Sequence, residues 1–193
     1  MAIDCYMTFK DYDGAFLKAE SQVTLKAPLG LAEASGVFDT ASTSGGLFEC
    51  EDYSFDIEQT LNIGSQSTGA GAGKVTFNPF SITRKIDMSS PKFFQYACSG
   101  KPFKEVCLGM RKSGGGDSSG LFFLMFRFML VAVKTVSWSH DDESPKETVT
   151  FEYGGLQIYY GPQTANGQIG TTVPGGWNRV KNISSFAPTD MIA

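Results

Sequence analysis

The chain has 193 residues, a length that suits one compact domain with a sizeable hydrophobic core. Its 22 glycines, its aromatic content of 13% and its many short apolar segments favour an all-β domain in which helix is a minority element. The formal net charge of −4 gives no long-range attraction to nucleic acid or to anionic lipid, so neither is an expected partner.

The chain opens with MAIDCYMTF, which lacks the basic, hydrophobic and cleavage regions of a Sec signal, so we predict no Sec-type export. Residues 3–10 instead have the composition of a first strand. A turn is predicted at 11–14, where aspartates and a glycine supply the chemistry of a tight turn. A short second strand is predicted at 22–26.

Residues 27–46 are mostly small or polar and show no regular period. We predict an extended loop here, and long loops in compact domains are often functional, so it is a candidate for contact between subunits. The strand pattern resumes at 47–63, where Tyr53, Phe55 and Ile57 alternate with polar residues.

A flexible link of small residues precedes a strand at 74–86, and Pro79 within that strand predicts a bulge or an edge. One short α-helix is predicted near residues 90–99, because Pro91 suits its start and Gly100 suits its end. Further strands are predicted at 103–110, 121–138 and 147–160. A glycine-serine loop follows the first of these strands, and a polar, turn-rich tail begins at about 161.

The segment 121–133 is the most hydrophobic of the chain, and it is too short for a membrane span. Its 13 residues, with Arg127 near the middle, fall short of the roughly 20 that cross a bilayer as a helix. Apolar side chains at both odd and even positions predict a strand that is buried on both faces. We expect a neighbouring subunit to cover the outer face. The candidate subunit-interface residues are Phe122, Phe126, Phe128 and Val131.

The short motifs of the chain do not support an enzyme. The pattern Gly-x-Ser-x-Gly at 116–120 precedes a strand, whereas a nucleophile elbow requires a helix there, so Ser118 and the single histidine, His140, are not predicted to be catalytic. The glycines at 69–73 lack the spacing of a phosphate loop, and the acidic residues after His140 read as a solvated turn. We predict no catalytic residues, no cofactor and no metal.

The four cysteines, Cys5, Cys50, Cys98 and Cys107, also lack the CxxC or Cys/His spacings of a tetrahedral metal site. Because no Sec signal is encoded, reduced thiols are the default expectation. The even number of cysteines leaves disulfides open.

Several short motifs follow one another in an order typical of a known family. They are GKVTF at 73–77, KID at 85–87, SPK at 90–92 and GGWN at 175–178. This order resembles the signature of the haemolysin-coregulated protein (Hcp) family, which forms the inner tube of the bacterial type VI secretion machine. The resemblance covers most of the chain, although residues 27–46 are an excursion that shorter members lack.

The resemblance implies a single domain spanning 1–193, a β-barrel or two-sheet sandwich with one helix on its flank. It implies homohexameric rings that stack into a hollow tube, with the contractile sheath, the spike protein and the baseplate as partners and effector proteins as cargo in the bore. The subunit would assemble in the bacterial cytoplasm and then be secreted by the type VI machine to the extracellular space or a target cell. For the ring-stacking loop the candidate contacts are Pro28, Leu29, Leu31, Val37 and Phe38.

Two alternatives stay open at this point. A small-ligand-binding β-barrel carrier needs a roomy apolar interior, which the bulky residues of 121–133 are more suited to fill than to line. A secreted hydrolytic effector needs Ser118 or His140 in a cleft.

Overall fold

The computed structural model describes residues 3–60, 75–112, 120–140 and 144–184. Within these ranges strands dominate, as the composition predicts. The strands are β1 (Ile3–Lys10), β2 (Phe48–Glu49), β3 (Asp52–Ser54), β4 (Ile57–Gln59), β5 (Val75–Phe77), β6 (Phe80–Lys85), β7 (Phe103–Lys112), β8 (Phe122–His140), β9 (Pro145–Tyr160) and β10 (Val173–Asn178). The helices are α1 (Phe38–Thr43) and α2 (Ser90–Ser99).

The main sheet is antiparallel, in the order β2-β1-β7-β8-β9-β6-β3, and β10 pairs with the half of β9 that β6 leaves open. Because β2 and β3 are consecutive pieces of one segment, they join the two ends of the sheet. The Cys50 amide donates to the Cys5 carbonyl and the Glu51 amide donates to the Thr83 carbonyl, each at 3.1 Å. The sheet therefore curls around its core as a barrel, and we call residues 48–54 the seam.

Aromatic rings fill the inside of the barrel. Phe80 stacks on Phe128 with ring centroids 4.1 Å apart and on Phe151 with centroids 4.8 Å apart. Phe93 of α2 closes one end, with its centroid 5.0 Å from that of Phe9. Burying each such ring stabilises the fold by roughly 1.5–3 kcal/mol. The roomy interior that the carrier alternative requires is occupied by these rings.

Strand β8 has apolar residues at both odd and even positions, partly because the strand turns over at Leu130. The φ of Leu130, +52°, lies in the left-handed region, and beyond it the side chains that faced outward face inward. Phe128 and Val131 both belong to the inner core, although residues three apart on a regular strand point to opposite faces. A Cβ at Gly154 would lie 3.0 Å from Leu130 Cδ2, so a glycine at 154 leaves room for this side chain. The neighbouring strands make the same exchange, at Phe103 and Val106 in β7 and at Tyr153 and Leu156 in β9.

Helix α2 confirms the predicted helix. Pro91 lies at its start, where a missing amide breaks no helical hydrogen bond. Gly100 ends it in the left-handed conformation, φ +67°, and its amide donates to the Tyr96 carbonyl at 2.9 Å. Ser89, at the position before the helix, makes no side-chain capping bond to it and donates to Asp87 Oδ1 at 2.5 Å instead.

The region between β1 and β2 departs most from the sequence prediction. The turn at 11–14 is present, with the Ala15 amide donating to Asp11 Oδ1 at 2.8 Å, but the strand predicted at 22–26 is wrong. The predicted loop at 27–46 contains α1. This helix buries only Phe38 and Ala41, and two apolar positions in six residues are too few to show a helical period.

Pro79 divides the strand predicted at 74–86, because proline has no amide to donate to the ladder. β6 stays in the main sheet, whereas β5 pairs with β4 in a separate two-stranded arm. The small-residue link at 65–73, with its phosphate-loop pattern, and most of the loop at 112–120 lie outside the described residues.

The tail predicted as polar and turn-rich contains a strand, β10, which pairs with β9 from Val173 opposite Tyr160 to Asn178 opposite Gly155. Proline and glycine at 174–176 disfavour a strand in isolation, so local propensity did not indicate this one. Its backbone pairing with β9 decides its conformation.

Candidate assembly surfaces

The outer face of the barrel is partly covered by the chain's own segment between β1 and β2. Side chains of this segment pack against β1, β7, β8 and β9 and form a second apolar cluster, which we call the outer core. Its buried members are Tyr6, Leu25, Leu29, Leu31, Ala34, Phe38, Leu47, Cys107, Phe122, Met125 and Tyr159.

The centre of the outer core is a stacked pair of rings. Phe38 of α1 lies on Phe122 of β8, with centroids 4.6 Å apart and planes inclined by 12°. Gly109 of β7 lies beneath both rings, and a Cβ there would be 2.7 Å from each of them. A glycine at 109 therefore allows α1 to approach the sheet.

This cover changes the role of the residues predicted to stack rings. Leu29, Leu31 and Phe38 are buried in the outer core of their own subunit, so their side chains are not available to a second ring. Pro28 is exposed and Val37 is half-buried, and these two keep accessible area. The excursion is anchored by its apolar residues, which explains why it folds onto the barrel instead of projecting from it.

The predicted subunit-interface residues are likewise inside the subunit. Phe128 and Val131 belong to the barrel core, and Phe122 belongs to the outer core. Phe126 is half-buried, with its ring centroid 5.1 Å from that of Phe55. Phe122, Phe128 and Val131 are therefore buried by their own chain, through the face exchange and the outer core, whereas Phe126 keeps accessible area.

An ion pair borders the outer core. Arg127 Nε donates to Glu105 Oε2 at 2.8 Å. Burial alone would lower the pKa of Arg127, but the adjacent Glu105 carboxylate outweighs it and the pKa is raised, so the guanidinium stays charged. Burial raises the pKa of the Cys107 thiol, which stays neutral. The charge within the most hydrophobic segment is thus paired on the sheet surface.

An apolar groove of about 1110 Å³ lies between the β4–β5 arm and the β9–β10 pair. We call it the arm groove. Its apolar lining residues are Ile57, Val75, Phe77, Leu156, Ile158 and Trp177. Ile57 is exposed and Trp177 is only partly covered, so an apolar partner could bury both.

Arg179 forms one wall of the arm groove and ties it to the barrel. Its guanidinium lies 5.3 Å from the ring centroid of Phe77 and 5.0 Å from that of Tyr153, and Nη1 donates to the Tyr153 carbonyl at 2.5 Å. Burial raises the pKa of Tyr153 to about 12, although Arg179 acts in the opposite direction. Within the described residues, Trp177 Nε1 is a buried donor without an acceptor.

A second apolar surface, which we call the helix patch, lies at the start of α2. It consists of Ile86, Met88, Pro91, Phe94 and Trp138. Met88, Phe94 and Trp138 are each more than half exposed, and the rings of Phe94 and Trp138 are 6.3 Å apart at their centroids. Contiguous exposed aromatic and aliphatic side chains of this kind mark interaction sites on soluble proteins.

A buried ionic network holds the helix patch in place. Arg84 Nε lies 3.0 Å from Glu147 Oε1, and both side chains are almost fully buried. The same guanidinium pairs with Asp87 and donates to Ser89 Oγ at 2.8 Å, and Ser90 Oγ donates to Glu147 at 2.9 Å. This network ties the turn before α2, and with it the start of the helix that carries Phe94, to β6 and β9.

The two surfaces lie toward opposite ends of the long β8–β9 pair. Trp138 of the helix patch is opposite Glu147 on β9, whereas Ile158 of the arm groove lies eleven residues further along the same strand. At about 3.3 Å per residue this is about 35 Å of strand. One subunit therefore carries two unlike apolar surfaces that lie far apart on the barrel.

Of the two positions considered for catalysis, the structure describes only His140. His140 is exposed at the end of β8, and Ser118 lies outside the described residues. In the part of the chain that the structure describes, no group of three or more His, Cys, Asp or Glu side chains could hold a metal ion. Neither described helix has the length and apolar character needed to cross a membrane.

Both candidate surfaces were missed by reasoning from the sequence. The helix patch combines α2 with residues 44 positions later in the chain, at Trp138 opposite Phe94. The arm groove combines the arm with β10, whose strand character was not indicated. The sequence signal that could have found the helix patch is the pair of large apolar residues Met88 and Phe94. They stand beside polar residues and are not part of the buried core.

Comparison with known proteins agrees with this fold. A family model described as "Type VI secretion system effector, Hcp" matches residues 36–160. Protein hcp1 of Pseudomonas aeruginosa is 32% identical over 113 residues, which cover 58% of this chain and 70% of that protein.

Solved structures are similar over almost the whole chain. A structure described as that of a type six secretion system protein has a TM-score of 0.74 at 21% identity, covering 95% of this chain and 100% of that one. Hcp1 from Salmonella typhimurium has a TM-score of 0.64 at 22% identity, covering 96% of this chain and 100% of that one. At these identities the likeness supports the fold.

The family match begins within the outer-core segment, just before α1, and ends with β9, so it spans most of the barrel. The predicted resemblance is confirmed, and with it the β-dominated fold. Hcp proteins are structural components of the type VI secretion tube and are not an enzyme family. The chain belongs to the Hcp family of type VI secretion proteins.

Proposed function

We propose that this protein forms homohexameric rings that stack into the hollow inner tube of a type VI secretion machine. The observation that carries the proposal is the pair of unlike apolar surfaces, the helix patch and the arm groove, placed at different ends of one subunit. A ring requires a head-to-tail contact, in which one surface of each copy meets a different surface of the next. A self-complementary patch would instead close a dimer.

The proposed contact places the helix patch of one copy in the arm groove of its neighbour. Phe94 and Trp138 are rigid aromatic side chains, the type that anchors protein interfaces, and the groove is large enough to accept both. Their removal from water would be the main driving force, because the exposed area of the patch is apolar. This assignment replaces Phe122, Phe128 and Val131, whose side chains are already buried within the subunit.

Stacking between rings is proposed for the accessible part of the outer-core segment. Pro28 and Val37 keep exposed area on an element fixed by its buried neighbours. Such a segment offers a preorganised surface, so contact with the next ring would cost little ordering entropy.

The stacked tube is proposed to lie inside the contractile sheath, to meet the spike protein and the baseplate at its end, and to carry effector proteins in its bore. Assembly would take place in the bacterial cytoplasm, followed by release to the extracellular space or a target cell through the type VI machine. The subunit itself is proposed to have no catalytic role. The packed interior of the barrel supports a role in assembly, since the surfaces available to partners lie outside it.

Negative-stain microscopy and sedimentation of the purified protein test the ring. We expect annular particles and a species of about six times the 20.9 kDa subunit mass. A monomer at high micromolar concentration would contradict the proposal.

The direction of the contact is tested by mixing two variants. Phe94→Asp disables the helix patch and Ile57→Asp disables the arm groove, and both positions are exposed, so both variants should fold. Each variant alone should be monomeric. Mixed in equal amounts they should form a dimer and no ring, because one intact patch meets one intact groove.

The control is Tyr12→Asp, an exposed aromatic residue outside both surfaces, which should assemble as the unmodified protein does. If the mixture of the two disabled variants stays monomeric, the patch and the groove are not each other's partners. If either disabled variant still forms rings by itself, that surface is not part of the ring contact.

A further inference from the structure

Two of the four cysteines lie side by side at the seam where the barrel closes. β1 and β2 pair Tyr6 with Glu49 and Met7 with Phe48, so the next pair of the ladder is Cys5 with Cys50. The Cys50 amide donates to the Cys5 carbonyl at 3.1 Å. Opposite residues of an antiparallel pair have Cα atoms about 4.5–5.5 Å apart, within the range of about 4.4–6.8 Å that a disulfide spans.

The two side chains also lie on the same face of the sheet. Both pack against the core inside the barrel, and both are half-buried. A hydrogen bond between the two thiols, followed by burial, raises the pKa of Cys5 above its ordinary range. Cys50 Sγ also donates to the Asp52 carbonyl at 3.0 Å. Cys98 lies on α2 and Cys107 is buried in the outer core, so neither competes for this position.

We propose that Cys5 and Cys50 are a redox-sensitive pair that forms an intrachain disulfide when the protein meets an oxidising compartment. In a reducing cytoplasm the pair stays as two thiols. The proposed export would supply the change of compartment, but the chemistry of the pair does not depend on it.

The oxidant is a low-molecular-weight disulfide of the glutathione class. One cysteine loses its proton and attacks a sulfur of the reagent, which releases one reagent thiolate and leaves a mixed disulfide. The second cysteine loses its proton and attacks the protein sulfur of that mixed disulfide, which forms the Cys5–Cys50 bond and releases the second reagent thiolate. The two protons pass to the two released thiolates, so two protein thiols are oxidised and one reagent disulfide is reduced to two thiols.

The bond would reinforce the least extensive pairing of the barrel. The seam rests on two residue pairs between β1 and β2 and three between β3 and β6. The disulfide would close a loop from residue 5 to residue 50, which contains the whole segment that forms the outer core. The chain-entropy relation for a loop of this length predicts a rise in Tm of about 10 °C on oxidation.

The test uses the full chain with Cys98→Ser, which removes the exposed thiol of α2. The folded protein is equilibrated with oxidised glutathione, the free thiols are blocked, and the chain is mapped by mass spectrometry without reduction. We expect a peptide joining Cys5 to Cys50, a mass lower by about 2 Da, and a Tm rise that dithiothreitol reverses. Further substitution by Cys5→Ser or Cys50→Ser should abolish both the joined peptide and the rise in Tm.

Two results would overturn the inference. One is that Cys5 and Cys50 both stay free, or carry separate adducts, at equilibrium with the oxidant. The other is that the joined peptide forms but the Tm is the same in oxidised and reduced protein, which would show that the bond does not secure the seam.

Discussion

Replacing Gly109 with alanine tests whether the outer core is built within one chain. A Cβ at this position would lie 2.7 Å from Phe122 Cε1 and 2.7 Å from both Cε2 and Cζ of Phe38. Carbon atoms in ordinary contact are about 3.5–4.0 Å apart, so each ring would have to retreat by about 1 Å. Both rings are fully buried and stacked on each other, so neither can turn into solvent.

We expect Gly109→Ala to lower the free energy of unfolding by about 1–2 kcal/mol. Overpacking a core costs about 1–3 kcal/mol, and the lower entropy of alanine in the unfolded chain returns about 0.4–1 kcal/mol. Gly175→Ala is the matched control, because Gly175 also lies in a strand and no atom is within 4 Å of a Cβ built there. That control should be neutral or slightly stabilised.

A double-mutant cycle assigns the effect to Phe38. In a Phe38→Leu background the ring above Gly109 is gone, so Gly109→Ala should cost less there by about 1 kcal/mol. Unfolding in urea is followed by the fluorescence of Trp138 and Trp177 and by circular dichroism. The protein concentration is kept where the chain sediments as a monomer, because assembly would add to the measured stability.

An equal cost of Gly109→Ala in both backgrounds would refute the reasoning. It would mean that Phe38 does not lie over Gly109 in the folded subunit. The segment 27–46 would then be free to contact another ring, as the sequence alone predicts.

Three further predictions concern the ion network, the groove and the patch. Arg84→Met leaves Glu147 buried without its cation and should lower the free energy of unfolding in urea by about 3–5 kcal/mol. The control Lys134→Met breaks an exposed ion pair and should cost less than about 1 kcal/mol. Equal costs would contradict the burial of the Arg84–Glu147 pair. The pKa of Tyr153 is about 12 when folded and 10.0 ordinarily, so the unfolded state loses its proton first and stability present below pH 10 is lost toward pH 12. Tyr153→Phe should make the fall in Tm over this range shallower, and an unchanged profile would count against burial of the hydroxyl. Phe94→Ala should raise the protein concentration for half-assembly at least tenfold, which corresponds to about 1.4 kcal/mol of association free energy. The stability of the monomer should change by less than about 0.5 kcal/mol. Loss of monomer stability would mean that Phe94 supports the fold and not the contact between subunits.

Elements with strong local signals were predictable. β1 has the bounds read from the sequence, and α2 begins and ends where proline and glycine indicated. Pro79 divides two strands because its missing amide has the same consequence in any sheet. The short elements α1 and β10 were not predictable, because α1 has too few apolar positions to show a helical period and β10 contains proline and glycine. Both are stabilised by distant parts of the chain.

The candidate sites illustrate the same limit. Phe122 and Val131 were correctly predicted to be buried, but the sequence could not show what covers them. Hydrophobicity says that a side chain leaves water, and it does not say which surface replaces the water. Here the partner of Phe122 is Phe38, a residue of the segment predicted to contact another ring.

By itself the sequence determined that this is a β-rich, Hcp-type chain with a helix at 90–99, because strand composition, turn residues and motif order are local properties. Only the tertiary structure decided which apolar side chains remain at the surface, because that depends on the folding of 25–47 onto the barrel, on the exchange of faces at Leu130 and on the pairing of β10 with β9. These three events bring together residues that are far apart in the chain. They leave the helix patch and the arm groove as the apolar surfaces proposed for assembly.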